Sequence, residues 1–151
     1  MAQGSKRALQ PTEFLNVDVD LSSIEDPEPL VRGLGSRVVL YQLGKFRRQH
    51  WVRFSLARQP LSPEDAILGF ARLVSKLPAN AKRIWNNATH KECDIGIQSG
   101  FQPKPAEWVL EPTVIKAVAR LGAQIRITVY SPEVERRKRG RASSTRSTRP
   151  K

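Results

Sequence analysis

Apolar and polar residues alternate along EFLNVDVDLSS, residues 13–23. Leu15, Val17, Val19 and Leu21 fall on one side, and Asn16, Asp18 and Asp20 on the other. A period of two predicts a strand with one face buried. In SIEDPEPLVRGLG the acids precede Leu30 and Val31, and Gly33 and Gly35 close the stretch. That order predicts a short helix. RVVLYQL, from residue 37, predicts a second strand, apolar on both faces, and GKFRRQH a turn containing Gly44. WVRFSLAR at 51–58 predicts a third strand. It opposes Val52, Phe54 and Leu56 to Trp51, Arg53 and Ser55 and forms a hairpin with the second.

LSPEDAILGFARLVSKLP carries the strongest helical signal. Ser62 suits the N-cap, Pro63 the first helical position, and Glu64 and Asp65 the positive end of the dipole. Ala66, Ile67, Phe70, Leu73, Val74 and Leu77 recur at spacings of three and four, and Pro78 stops the helix. ANAKRIWNNA predicts a shorter helix, with Ile84 and Trp85 on its packing side. ATHKECDIGIQSG, 88–100, predicts a fourth strand. LEPTVIKAVARLG predicts a helix opened by Pro112 and closed by Gly122. AQIRITVY predicts a fifth strand, with Ile125, Ile127 and Val129 facing in and Arg126, Thr128 and Tyr130 facing out. The order β-α-β-β-α(α)-β-α-β implies an α+β two-layer sandwich. About five antiparallel or mixed strands carry two to four helices on one face and leave the other face partly open.

Charge divides the chain. Its 151 residues carry a net +12, and half of that excess sits in 133–151, where eight Lys/Arg accompany two acids. That segment has too few apolar residues to offset its ordering entropy, so a disordered basic tail is expected there. A loose arm is expected over 1–12 and a single domain over 13–132. The first residues contain no apolar run resembling a secretory leader, and no stretch is long and apolar enough for a membrane span. The single cysteine excludes an internal disulfide and any zinc site using two cysteines of this chain. A cytoplasmic location is therefore expected.

FLNVDVDL, CDIGIQSG and LEPTVIKAVARLGAQIRITVY give the chain a resemblance, over about residues 13–131, to a group of uncharacterised bacterial proteins catalogued as a domain of unknown function. The likeness lies in the closing helix at Leu110-Glu111-Pro112, the Leu121-Gly122-Ala123 cap and the aliphatic strand from Ile125 to Tyr130. It implies an α+β fold and brings no activity with it.

Candidate chemistry begins at Cys93, with His90 and Asp94 beside it. A nucleophilic cysteine needs a base or a helix N-terminus against its sulfur. Strand parity separates these groups: Cys93, Ile95 and Ile97 point to the core, and Glu92, Asp94 and Gln98 to the open face, with His90. A structural role is expected for Cys93. Asp18, Asp20 and Asp94, on the outward side of two strands, have the ligand type for a hard cation such as Mg²⁺. Arg53 and Arg126, also outward, offer cross-strand ion pairs instead. Trp85 and Trp108 are expected to pack in or against the core. GLGSR at 33–37 follows a helix and precedes a strand, the reverse of a dinucleotide loop.

Three functions follow in order of preference. The first is a non-enzymatic module that binds a protein partner through the open face, with Asp18, Asp20, Arg53, Asp94, Gln98 and Arg126 as binding residues and no cofactor. The second is nucleic-acid association, with Arg136, Arg137, Lys138, Arg139 and Arg141 contacting phosphates. Lys45, Arg47 and Arg48 around Phe46 add a weaker single-strand signal. The third is a metal-dependent enzyme built on Asp18, Asp20 and Asp94.

Overall fold

In the computed structural model residues 9–132 are described. Alternation in the first segment produces β1, Glu13–Ser23, which buries Val17, Val19 and Leu21. β2, Val38–Phe46, and β3, Gln49–Leu56, form an antiparallel hairpin. β4 is His90–Gln98 and β5 is Gln124–Tyr130. The sheet order is β2-β3-β1-β4-β5. β1 lies at its centre, antiparallel to both β3 and β4, while β5 returns parallel to β4. A parallel return needs a crossover, and the helix at Pro112–Leu121 supplies it.

Helices cover one face. α1 is Glu28–Leu34, followed by a tight 3-10 turn at Gly35–Arg37. α2 is Pro63–Ser75, α3 Ala79–Asn87 and α4 Pro112–Leu121. Ser62 caps α2 as expected, its hydroxyl accepting from the Asp65 amide at 3.1 Å. Gly122 ends α4 with φ of +66°, a left-handed cap that favours glycine. Between the layers Val17, Val19, Val52, Phe54 and Ile95 meet Ile67, Phe70, Ile84, Trp85 and Val118. The Phe54 and Phe70 rings pack edge-on with centroids 6.0 Å apart. Each large apolar side chain buried here contributes roughly 1.5–3 kcal/mol of transfer free energy. Trp85 packs as expected and donates its indole N–H to the Leu121 carbonyl. Trp108 is only half-buried.

Several local expectations are corrected. A β-bulge between Phe14 and Asn16 shifts the register of β1 against β4. One extra residue reverses strand parity, so Phe14 packs on the core and Leu15 turns to the open face. Gly44 lies within β2, and the hairpin turn is formed by Arg47-Arg48, with Arg47 at φ of +55°. Gly44 instead admits Trp51, whose indole would stand 2.2 Å from a Cβ at that position. Ile127 and Val129 do not face into the core. Each is 61% exposed, because no helix covers that part of the edge strand. The apolar β2 is likewise exposed along most of its length.

Residues 9–12 are tied to the loop after β4. The Gln10 carbonyl accepts from the Phe101 and Gln102 amides, and the Thr12 hydroxyl accepts from the Gly100 amide. No helix among the described residues is long and apolar enough to cross a membrane. The Arg-rich segment, including Arg136, Arg137, Lys138, Arg139 and Arg141, lies outside the described residues.

Candidate binding site on the open sheet face

The uncovered face is built from even-numbered residues of β1, β4 and β5 and odd-numbered residues of β3. Register places Asp18 between Ser55 and Asp94, and Asp20 between Arg53 and Glu92. On β5, Arg126 is level with Asp94 and Thr128 with Gly96. These positions converge because neighbouring strands lie about 4.8 Å apart and same-face side chains stack across them.

Arg53 is the hub. Its Nη2 lies 3.0 Å from Asp20 and 3.2 Å from Asp94, and its Nε stands 3.9 Å from Asp18. Asp94 is almost fully buried, and its other oxygen accepts from the Thr128 hydroxyl at 2.7 Å. A second group adjoins. Glu92, 1% exposed, forms an ion pair with Arg126, whose Nε lies 2.9 Å from Oε1 without hydrogen-bond geometry, and its other oxygen accepts from the Gln124 side-chain amide. His90 lies 3.7 Å from the same carboxylate. The expected pairing of the outward charges is therefore present, divided into an Arg53 group and an Arg126 group. Gln98 joins neither. Its amide donates to the Ser131 and Ser99 carbonyls at the far end of β4.

Charge is unbalanced across this face. Four carboxylates share two guanidiniums. Partial burial is the largest influence on Asp18 and raises its pKa; Arg53 pulls the other way, and Asp20 and Asp94 reinforce the rise. Asp20 is raised for the same first reason, with Glu92 and Asp94 adding to the rise and Arg53 and Arg126 opposing it. The Arg53 guanidinium occupies the place a cation would take, and no group of three or more metal-ligating side chains occurs among the described residues.

Above Arg53 the face sinks into a recess of about 390 Å³, walled by Leu15, Tyr41, Gln42 and Tyr130 and floored by Asn16, Asp18 and Asp94. That size lies in the range of small-ligand sites. The β2 bulge between Leu40 and Gln42 turns Tyr41 to this side, where its hydroxyl meets Ser55 at 3.0 Å. Asn16 donates to Asp18 at 3.5 Å, and its own carbonyl oxygen, buried, has no partner among the described residues. Asn16, Leu15 and Tyr41 were not evident as site residues. Two bulges place the latter two, and nothing in local composition marks a bulge.

Cys93 lies on the opposite side of β4, 1% exposed, with Val19 beside it in register. Burial pushes its thiol up to about 12, and the Glu92 charge adds to the rise. Among the described residues no base stands against its sulfur, and burial holds it as the neutral thiol. At the hairpin tip the Phe46 ring is covered by Arg47, 5.3 Å from its centroid, which leaves that face less open to a stacking base. Against protein-family models, curated proteins and solved structures, the chain gives no match.

Proposed function

We propose that the protein is a non-enzymatic binding module whose open sheet face receives a basic side chain of a protein partner. The observation behind this reading is the deficit of positive charge in a walled recess. Asp18 has only a distant guanidinium and a long amide contact, and the neighbouring Asn16 carbonyl oxygen has no donor. An incoming guanidinium or ammonium would supply both. It would restore the charge balance that burial now opposes at Asp18 and Asp20. Tyr41 and Tyr130 present aromatic surfaces that favour a cation over a neutral group. The remaining carboxylates are already held by Arg53, Arg126 and Thr128, a pattern that suits recognition more than proton transfer.

The test uses N-acetyl-arginine amide and N-acetyl-leucine amide as probes in an NMR titration. The arginine probe is expected to shift amides at 16–18, 41–42, 94–96 and 130, the leucine probe to leave them unmoved, and Asp18→Asn to weaken binding severalfold. Equal shifts with both probes, or none at millimolar concentration, would overturn the reading.

A further inference from the structure

On the opposite layer a groove of about 400 Å³ runs between α2 and the end of β3. Its floor is apolar, formed by Leu56 and Leu73, and four cations stand around it: Arg37, Arg58, Arg72 and Lys76. We infer that this groove binds an organic phosphate, the phosphate held by the cations and an apolar body laid on the leucines.

The groove is built by sequence spacing. Gly69, Arg72, Leu73 and Lys76 fall at i, i+3, i+4 and i+7, a single stripe of α2 and its C-cap. Gly69 is needed there. A Cβ on it would come 2.8 Å from Leu56 and 2.9 Å from the Arg58 guanidinium, so glycine lets the strand exit and its arginine lie against the helix.

Two of the cations are pre-positioned. Arg58 is held by both oxygens of Asp65, at 2.7 and 3.0 Å, and Asp65 is itself fixed by the Leu61 amide and the cap of α2. Arg37 is anchored on the Leu34 and Gly33 carbonyls at the end of α1. Guanidinium forks held in this way lose little entropy on meeting a phosphate. Arg72 and Lys76 have no ion-pair partner among the described residues.

Charge decides between anions. No carboxylate lines the groove, and Asp65 behind it offsets one of the four cations. A carboxylate ligand needs only one fork, whereas a phosphate monoester, close to doubly charged at neutral pH, matches the larger excess. The apolar floor would leave a bare inorganic ion without contact over half the groove.

The experiment titrates the full chain with phenyl phosphate, inorganic phosphate, benzoate and a single-stranded oligonucleotide, followed by amide NMR. Phenyl phosphate is expected to shift amides at 56–58 and 69–76 and to bind more tightly than inorganic phosphate or benzoate. Arg72→Ala/Lys76→Ala, at an exposed helix position and the exposed C-cap of α2, should weaken it about tenfold or more. Lys116→Ala/Arg120→Ala, which removes equal charge from α4, should not. Equal loss in both variants, or shifts confined to other regions, would overturn the site. Tighter binding of the oligonucleotide at the same amides would overturn the assignment to a small ligand.

Discussion

Arg53 stands among three aspartates, and its removal has a calculable sign. Arg53→Met leaves Asp18, Asp20 and Asp94 facing one another across adjacent strands. Breaking a fully buried ion pair costs ~3–5 kcal/mol. The Arg53 side chain is 30% exposed, so screening reduces the expected loss to about 2 kcal/mol near neutral pH. Urea unfolding checks this. Asp18 and Asp20 already titrate above their ordinary value of 3.8, so the folded chain holds their protons more tightly than the unfolded chain does. Their contribution to stability is full below that value and is lost as pH rises through the folded pKa. Asp65 and Glu25, lowered by their hydrogen bonds to Arg58 and to Asn87 and Arg83, act in the opposite sense and lose their contribution on acidification. Without Arg53 the aspartates' proton affinity rises further. The deficit of the Met variant should therefore shrink as the pH falls from about 7 to about 4; a deficit that grows would contradict the assignment. At this scale the alternation around Cys93 was legible, since parity alone sends its sulfur away from Asp94. The burial of Glu92 and Asp94 was not, because it depends on Arg126 and Thr128 from a strand some thirty residues later.

Among the elements, α2 is the best specified. Cap, proline and acidic first turn fix its start at Pro63, while the helix ends at Ser75, with Lys76 as cap, short of the stripe's last member Leu77 and of Pro78. Ser62→Ala removes the N-cap side-chain hydrogen bond that α2 has and that the N-cap residues of the other three helices among the described residues lack. It should cost about 1 kcal/mol, read as a shift in the urea midpoint with an unchanged slope. The strands were legible as elements but not in detail. β1 and β2 each contain a bulge, and a bulge depends on the partner strand as much as on its own residues. The β5 pattern promised a buried face at Ile127 and Val129. Burial also needs a covering layer, and both side chains stand 61% exposed on that edge strand. Edge position, decided by topology, outweighed periodicity there.

Across the whole molecule the two layers carry opposite character. The open sheet face holds more carboxylates than guanidiniums, and the groove beside α2 is walled by cations. A two-layer architecture could be read from element order. The carboxylate excess on the sheet could not, because it follows from which strands become neighbours. The same architecture seals Cys93 at the middle of the sandwich, between the sheet and its helices. A sulfur so placed can meet a soluble disulfide reagent only when the layers part. Its modification rate in dilute urea should match the rate predicted from the global unfolding equilibrium, and no faster local route should appear. The lone thiol that carries no chemistry thus becomes a natural clock for how often this fold opens.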